Sequence, residues 1–221
     1  MEEPAGLSDM ERSTTAPAGA LRRAFIFIAN FIKHPRMVGT FAVSSPALVQ
    51  RLLDPIDWRR TGNIVELGPG VGTITRAVLE AMPRTARLLA VEMNGDFVTE
   101  LRRSIPDSRF NVVEGSAADL SAHMASQRVT GLDLVISGIP FSTMPTNMRD
   151  QTLDSVVKSL NSDGCFIVYQ YSNHVMEPLQ ARFSQVEREL EWRNLVPVKV
   201  FRCTGPRPRL PVGPIVHEQG A

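Results

Sequence analysis

The stretch Asn63-Ile64-Val65-Glu66-Leu67-Gly68-Pro69-Gly70-Val71-Gly72 limits what this chain can fold into more than any other. A short apolar run ends in an acid, and three glycines then stand at every second position. Thr73-Ile74-Thr75-Arg76-Ala77-Val78-Leu79 follows with a helical pattern. A strand, a tight glycine turn and a helix make a cradle for a nucleotide. Glycine accepts positive φ and has no Cβ to hold a ligand away from the backbone. The spacing is G-x-G-x-G and not the dinucleotide G-x-G-x-x-G, so on its own the stretch also admits a plain turn between a strand and a helix.

The rest of the chain decides between these readings. Apolar runs predict strands at Ile64–Leu67, Ala86–Glu92, Phe110–Val113, Leu132–Ile136 and Cys165–Tyr171. Helical patterns fall at about Val71–Met82, Gly95–Ile105, Thr146–Leu160 and Met176–Phe183. Two further strand-like runs, Val186–Leu195 and Val198–Cys203, meet at Val196-Pro197 with no helix between them. Strands alternating with helices predict an α/β fold with a mostly parallel seven-stranded sheet, covered on both faces and closed by an antiparallel pair. Before the first strand, Ser44 or Ser45 can cap a short helix through Leu48, Leu52 and Leu53, with Pro46 in its first turn and Pro55 after it.

In such a sheet ligands bind beyond the carboxyl ends of the strands. The strand ends here are Glu66 with its glycine turn, Glu92, Glu114-Gly115-Ser116-Ala117 and Ser137-Gly138-Ile139-Pro140-Phe141. Glu92 comes twenty residues after Gly72, where an acid can accept both hydroxyls of a ribose. Four strand ends of suitable type favour the nucleotide cradle over the plain turn. Tyr169 and Tyr171, two apart at the end of the fifth strand, face the same way. With Phe41 and Phe141 they can form an aromatic wall around an amine, or they can pack beneath a helix.

The order E-L-G-P-G-V-G, V-E, E-G-S-A and S-G-I-P-F resembles class I S-adenosylmethionine-dependent methyltransferases over about residues 37–203. A sharper resemblance is to bacterial phospholipid N-methyltransferases, whose core is similar to rRNA adenine dimethylases. It rests on F-I-K-H-P-R-M-V-G-T-F-A-V-S-S, S-G-I-P-F-S-T-M-P, Y-Q-Y-S and W-R-N-L-V-P-V-K-V. The resemblance implies a Rossmann-like fold and S-adenosylmethionine as cofactor. Glu66, Gly68, Gly70 and Gly72 would hold its methionine part, together with Ser137. Glu92 would take the ribose hydroxyls, Met93 would flank the adenine, and Ser116 and Ala117 would contact the adenine edge. Many relatives have Asp where this chain has Ser116. The adenine dimethylases carry an Asn-x-Pro-Tyr/Phe motif, which here reads Ser137-Gly138-Ile139-Pro140-Phe141 without the Asn. They also usually have a helical domain after the core. Both departures count against nucleic acid as substrate. Tyr169, Tyr171, Phe141 and His174 would receive the amine or head group.

Composition fits this frame. With 221 residues the chain can form one sizeable domain and a small extension. Two cysteines, Cys165 and Cys203, have no CxxC partner or metal-ligand spacing, so no metal site is expected. No apolar run reaches the roughly 18 residues of a membrane span, and no basic stretch leads an apolar one at the start, so a cytoplasmic location is expected. Residues 1–20 are expected to be disordered. In 21–36, Leu21, Ala24, Phe25, Ile28, Ala29, Phe31 and Ile32 share one helix face opposite Arg22, Arg23, Asn30, Lys33 and His34. That pattern suits a helix lying in an anionic membrane interface, or one packed on the domain. Residues 204–221, with four prolines, are expected to be an extended tail. Together these readings point to a peripheral methyltransferase acting on phosphatidylethanolamine. The rivals are a methyltransferase of RNA or of a soluble small molecule, and a non-catalytic scaffold that keeps the cofactor fold.

Overall fold

The computed structural model describes residues 44–194 and 196–207, all within a unit spanning Gly39–Ala221. The expected disordered segment, the amphipathic helix of 21–36, Phe41 and the tail beyond residue 207 lie outside the described residues.

The described chain opens on α1 (Pro46–Leu53). Ser45 caps it by accepting from the Leu48 amide at 3.2 Å, and Leu48, Leu52 and Leu53 are buried. After a 3-10 turn, strands and helices alternate: β1 (Asn63–Leu67), α2 (Thr73–Ala81), β2 (Arg87–Glu92), α3 (Gly95–Ser104) and β3 (Phe110–Glu114). Then come α4 (Leu120–Ser126), β4 (Leu132–Ser137), α5 (Thr146–Ser159), β5 (Leu160–Gln170), α6 (Met176–Gln180), β6 (Phe183–Glu191) and β7 (Val198–Pro206). The seven strands form one sheet in the order β3-β2-β1-β4-β5-β7-β6. Strands β1 to β5 pair in parallel, and β7 runs antiparallel to both β5 and β6. The chain moves outward from β1 to β3 and then returns to β4, so the switch point lies over the ends of β1 and β4. That crevice is where sheets of this type bind ligands.

Period-2 alternation divides the strands between two apolar faces. Val65, Leu67, Val91, Val135, Phe166 and Val168 pack with α4, α5 and α6, while Ile64, Leu88, Ala90, Leu134, Ile136 and Ile167 pack with α1, α2 and α3. Burial on both faces explains why the strands read as continuous apolar runs.

The structure departs from the sequence expectations in several places; β5 begins at Leu160, five residues before the expected start, and β6 ends at Glu191, short of the expected Leu195. Helix α4, between β3 and β4, was not foreseen; its seven residues bury Leu120 and Met124, four apart. The helix expected to run to Phe183 stops at Gln180, and β6 begins at Phe183, whose ring stacks on Phe166 at 5.9 Å. Strand β7 continues through Pro206, beyond the expected boundary at Cys203. Its pairing with β5 ends at Cys203, but pairing with β6 carries on to Phe183 opposite Pro206. A proline is tolerated at such an edge because its missing N–H faces no neighbour.

Candidate active site

The register brings the expected site residues to one edge of the sheet. Leu67 pairs with Val91 on one side and Ser137 on the other, Glu92 pairs with Glu114, and Ser137 pairs with Val168. The loops then extend the ladder by single hydrogen bonds: Gly68 donates to Val91 O, Gly115 to Glu92 O and Gly138 to Leu67 O. The strand ends are therefore fixed relative to one another before any ligand arrives.

The glycine turn takes positive φ at Gly68, Gly70 and Gly72. A Cβ placed on Gly70 would meet nothing within 4 Å, so the turn faces open space at that point. Beside it stands the half of the site built from acids. Glu92 is 7% exposed, and its two oxygens accept from the amides of Gly70 at 3.1 Å and Asn94 at 2.9 Å. A carboxylate has about four acceptor positions, so Glu92 keeps capacity for two hydroxyls. Glu66 is 1% exposed and accepts from Thr75 Oγ1 at 2.6 Å. Burial, with the Glu92 charge adding to it and the Thr75 hydrogen bond opposing, pushes its carboxyl up to about 7. Open space at Gly70 beside a carboxylate with unused acceptors fits the ribose and methionine ends of S-adenosylmethionine.

Arg76 completes this half, and the sequence reading missed it. Its guanidinium donates to Val71 O at 2.8 Å, Gly72 O at 3.0 Å and Ser104 Oγ at 2.8 Å, clasping the outside of the turn. A cation in the first turn of a helix opposes the helix dipole, and that oddity was the available signal. Met93 is half-buried beside Glu92. Ser116 uses its hydroxyl to accept from the Ala118 amide at 3.2 Å, and Ala117 is buried in the core. Ser137 is fully buried and accepts from the Ile139 amide at 3.3 Å.

The Ser137–Phe141 loop joins this half to the tyrosines. A Cβ on Gly138 would lie 2.4 Å from the Tyr169 hydroxyl, so only glycine lets that ring come so near. A Cβ on Gly68 would lie 3.1 Å from Ile139 Cγ1, which places Ile139 over the glycine turn. Tyr169 is half-buried, shares a side-chain hydrogen bond with Ser44, and has its pKa raised by burial and by the Glu66 charge. Tyr171 is 38% exposed, hydrogen-bonds Asn194, and has its pKa raised by burial. His174 is exposed in the loop after β5, its amide donating to Ser172 Oγ at 3.2 Å. Phe141 stands apart from this group. It is 1% exposed and packs edge-on to Phe166 at 6.4 Å, supporting the loop from the core side. Gln170, at the end of β5, was not singled out from the sequence. It is 5% exposed, its amide nitrogen donates to Ser172 O at 2.9 Å, and its carbonyl oxygen has no donor among the described residues.

Residues 39–194 match the family model of the methyltransferase small domain. The chain belongs to this family. The methyltransferase is 30% identical to an ornithine lipid N-methyltransferase of Singulisphaera acidiphila, an alignment covering 82% of this chain and 95% of the relative. It is 33% identical over 95 residues to ribosomal RNA small subunit methyltransferase A of Bordetella pertussis, covering 42% of this chain and only 35% of that one. This second match does not fit the expectation that counted against nucleic acid as a partner. Among solved structures, the 1,6-didemethyltoxoflavin-N1-methyltransferase of Burkholderia thailandensis, with S-adenosylhomocysteine bound, superposes at TM-score 0.63 with 14% identity, covering 93% of this chain and all of that one. The fold is the Rossmann-like methyltransferase fold, and the protein is an S-adenosylmethionine-dependent N-methyltransferase.

Proposed function

We propose that the enzyme works at the membrane surface, on its cytoplasmic side, and methylates the amine of a phospholipid head group. In this reading phosphatidylethanolamine and its partly methylated forms are carried towards phosphatidylcholine. The observation that supports it most is the coverage of the relatives. The lipid methyltransferase aligns along 95% of its length, whereas the RNA methyltransferase aligns along 35%.

When bound, S-adenosylmethionine supplies a methyl group activated on a sulfonium. Glu66, Gly68, Gly70 and Gly72 hold its methionine end, helped by Ser137, and Glu92 holds the ribose. Met93, Ser116 and Ala117 border the base. The acceptor side has then to orient an amine and exclude water around it. Tyr169 and Tyr171 present aromatic faces, which suit a nitrogen that gains methyl groups and ends as a quaternary cation. A head group arrives as an ammonium and gives up a proton before it reacts; in this reading His174, exposed in the loop after β5, receives it. Phe141 serves by holding the Ser137–Phe141 loop in place.

A second reading takes the amine of an ornithine lipid as substrate, because that is the lipid the relative covering most of this chain is named for. Expression in cells that lack phosphatidylcholine and make both lipids separates the two. Thin-layer analysis should show phosphatidylcholine and its methylated precursors. Methylated ornithine lipid without them selects the second reading. Absence of any methylated lipid overturns both.

A further inference from the structure

Among the described residues only three large apolar side chains are exposed: Val71 at 39%, Tyr171 at 38% and Trp192 at 71%. All three stand at one edge of the sheet. Val71 is in the glycine turn after β1. Because β7 is antiparallel to both β5 and β6, the ends of β5 and β6 point the same way, with Gln170 and Leu190 both paired to Lys199. Tyr171 and Trp192 lie just past that row. The opposite edge exposes no such side chain among the described residues.

The residues that follow Trp192 are tied to the domain. Asn194 accepts from the Ser45 amide at 3.1 Å, donates to Val196 O at 3.1 Å and hydrogen-bonds Tyr171. Arg193, next to Trp192, pairs with Glu191 at 3.0 Å. Charge at this tip is unequal. Residues 188–199 carry Arg188, Arg193 and Lys199, and Arg51 joins them through Glu189 and Glu191 at 3.2 Å or less. The two carboxylates are not equally visible, since Glu191 is 1% exposed and Glu189 46% exposed, while the Arg193 side chain is 65% exposed. An exposed indole beside the exposed Arg193, at a tip with more cations than carboxylates and near the acceptor tyrosines, matches the boundary of a bilayer with negative head groups.

We infer that the Trp192–Arg193 tip is a membrane-docking surface that inserts between anionic phospholipids and sets the mouth of the acceptor site at head-group depth. This deepens the lipid-substrate reading and rests on it. The docking step itself needs no turnover, so it can be tested separately. Trp58 and Trp192 are the two tryptophans of the chain, and the full-length Trp58→Phe protein reports on Trp192 alone. Adding phosphatidylglycerol vesicles should shift its emission to the blue, and brominated lipid should quench it. Trp192→Phe, which leaves Trp58, should show neither change. Trp192→Ala should weaken vesicle binding about tenfold, the worth of one buried aromatic side chain, while methylation of a short-chain, water-soluble phosphatidylethanolamine stays within about twofold. No shift with vesicles whose lipid is nevertheless methylated overturns the docking surface and leaves the substrate reading intact. A full shift with no lipid methylated upholds the docking surface and removes the substrate reading. A shift produced by RNA, or by raising protein concentration alone, assigns the tip to another partner and overturns the inference.

Discussion

The two halves of the site are built on different principles. The half over β1 and β2 is made of backbone and buried carboxylates: the positive-φ turn, Glu92 bridging the Gly70 and Asn94 amides, and Glu66 on Thr75. The half over β5 and β6 is made of side chains on loops: Tyr169 under Gly138, Tyr171 on Asn194, and exposed His174. Among the described residues the Ser137–Phe141 loop bridges the two, through Gly138 N to Leu67 O on one side and the Tyr169 ring on the other. A cofactor that does not change can be met by a rigid cradle. An acceptor that distinguishes one substrate from another is met by residues that a loop can exchange without disturbing the sheet.

The largest effect should come from the first half. Glu92→Ala removes the proposed ribose acceptor and releases the amides of Gly70 and Asn94. Two charge-assisted hydrogen bonds lost should weaken S-adenosylmethionine binding about a thousandfold, as read by calorimetric titration. A loss of only a few-fold would mean that the acid does not hold the ribose. Gly138→Ala should separate the halves. Its Cβ would fall 2.4 Å from the Tyr169 hydroxyl and 2.8 Å from Cζ, so the ring must move. Turnover should fall about 100-fold, the usual result of misplacing a reacting group by an ångström, while cofactor affinity changes by no more than about twofold. Equal losses in both would show that the loop belongs to the cofactor half as much as to the acceptor half.

This asymmetry also explains what the sequence made legible. Gly68, Gly70, Gly72 and Glu92 were readable because positive φ and strand-end register leave few residue types that serve. The faces of the sheet were readable because alternation holds within a strand. It stops at the strand end, so nothing in the sequence said that Phe141 turns inward while Ile139 faces the glycine turn. Gln170 was hidden for a related reason: an unpaired carbonyl is a property of its neighbours, which come from the loop beyond β5. Helix α4 was too short to show a period, its Leu120 and Met124 making a single turn.

A smaller effect tests how tightly the first half is closed. Glu66 has its folded pKa raised from 4.5 to about 7 by burial. Below pH 4.5 it is protonated in folded and unfolded chains alike and costs nothing. As pH rises past 4.5 the unfolded chain releases the proton while the folded chain retains it, so stability falls until about pH 7 and then levels off. Between pH 5 and pH 8 the cofactor-free enzyme should lose about 2 kcal/mol through this group. Denaturant unfolding at the two values should show the loss. Glu66→Gln, which still accepts from Thr75, should abolish it. A variant with the same slope as the parent would place the titrating group elsewhere.

The central claim is that a methyltransferase cradle of ordinary build has been paired with an acceptor edge meant for a lipid amine. Its most direct test offers one enzyme all three acceptors together: phosphatidylethanolamine vesicles, ornithine lipid vesicles and ribosomal RNA, with methyl-labelled S-adenosylmethionine. Mass spectrometry of the separated fractions should find label on the phosphatidylethanolamine amine in excess over both others. Label confined to the RNA would contradict the account.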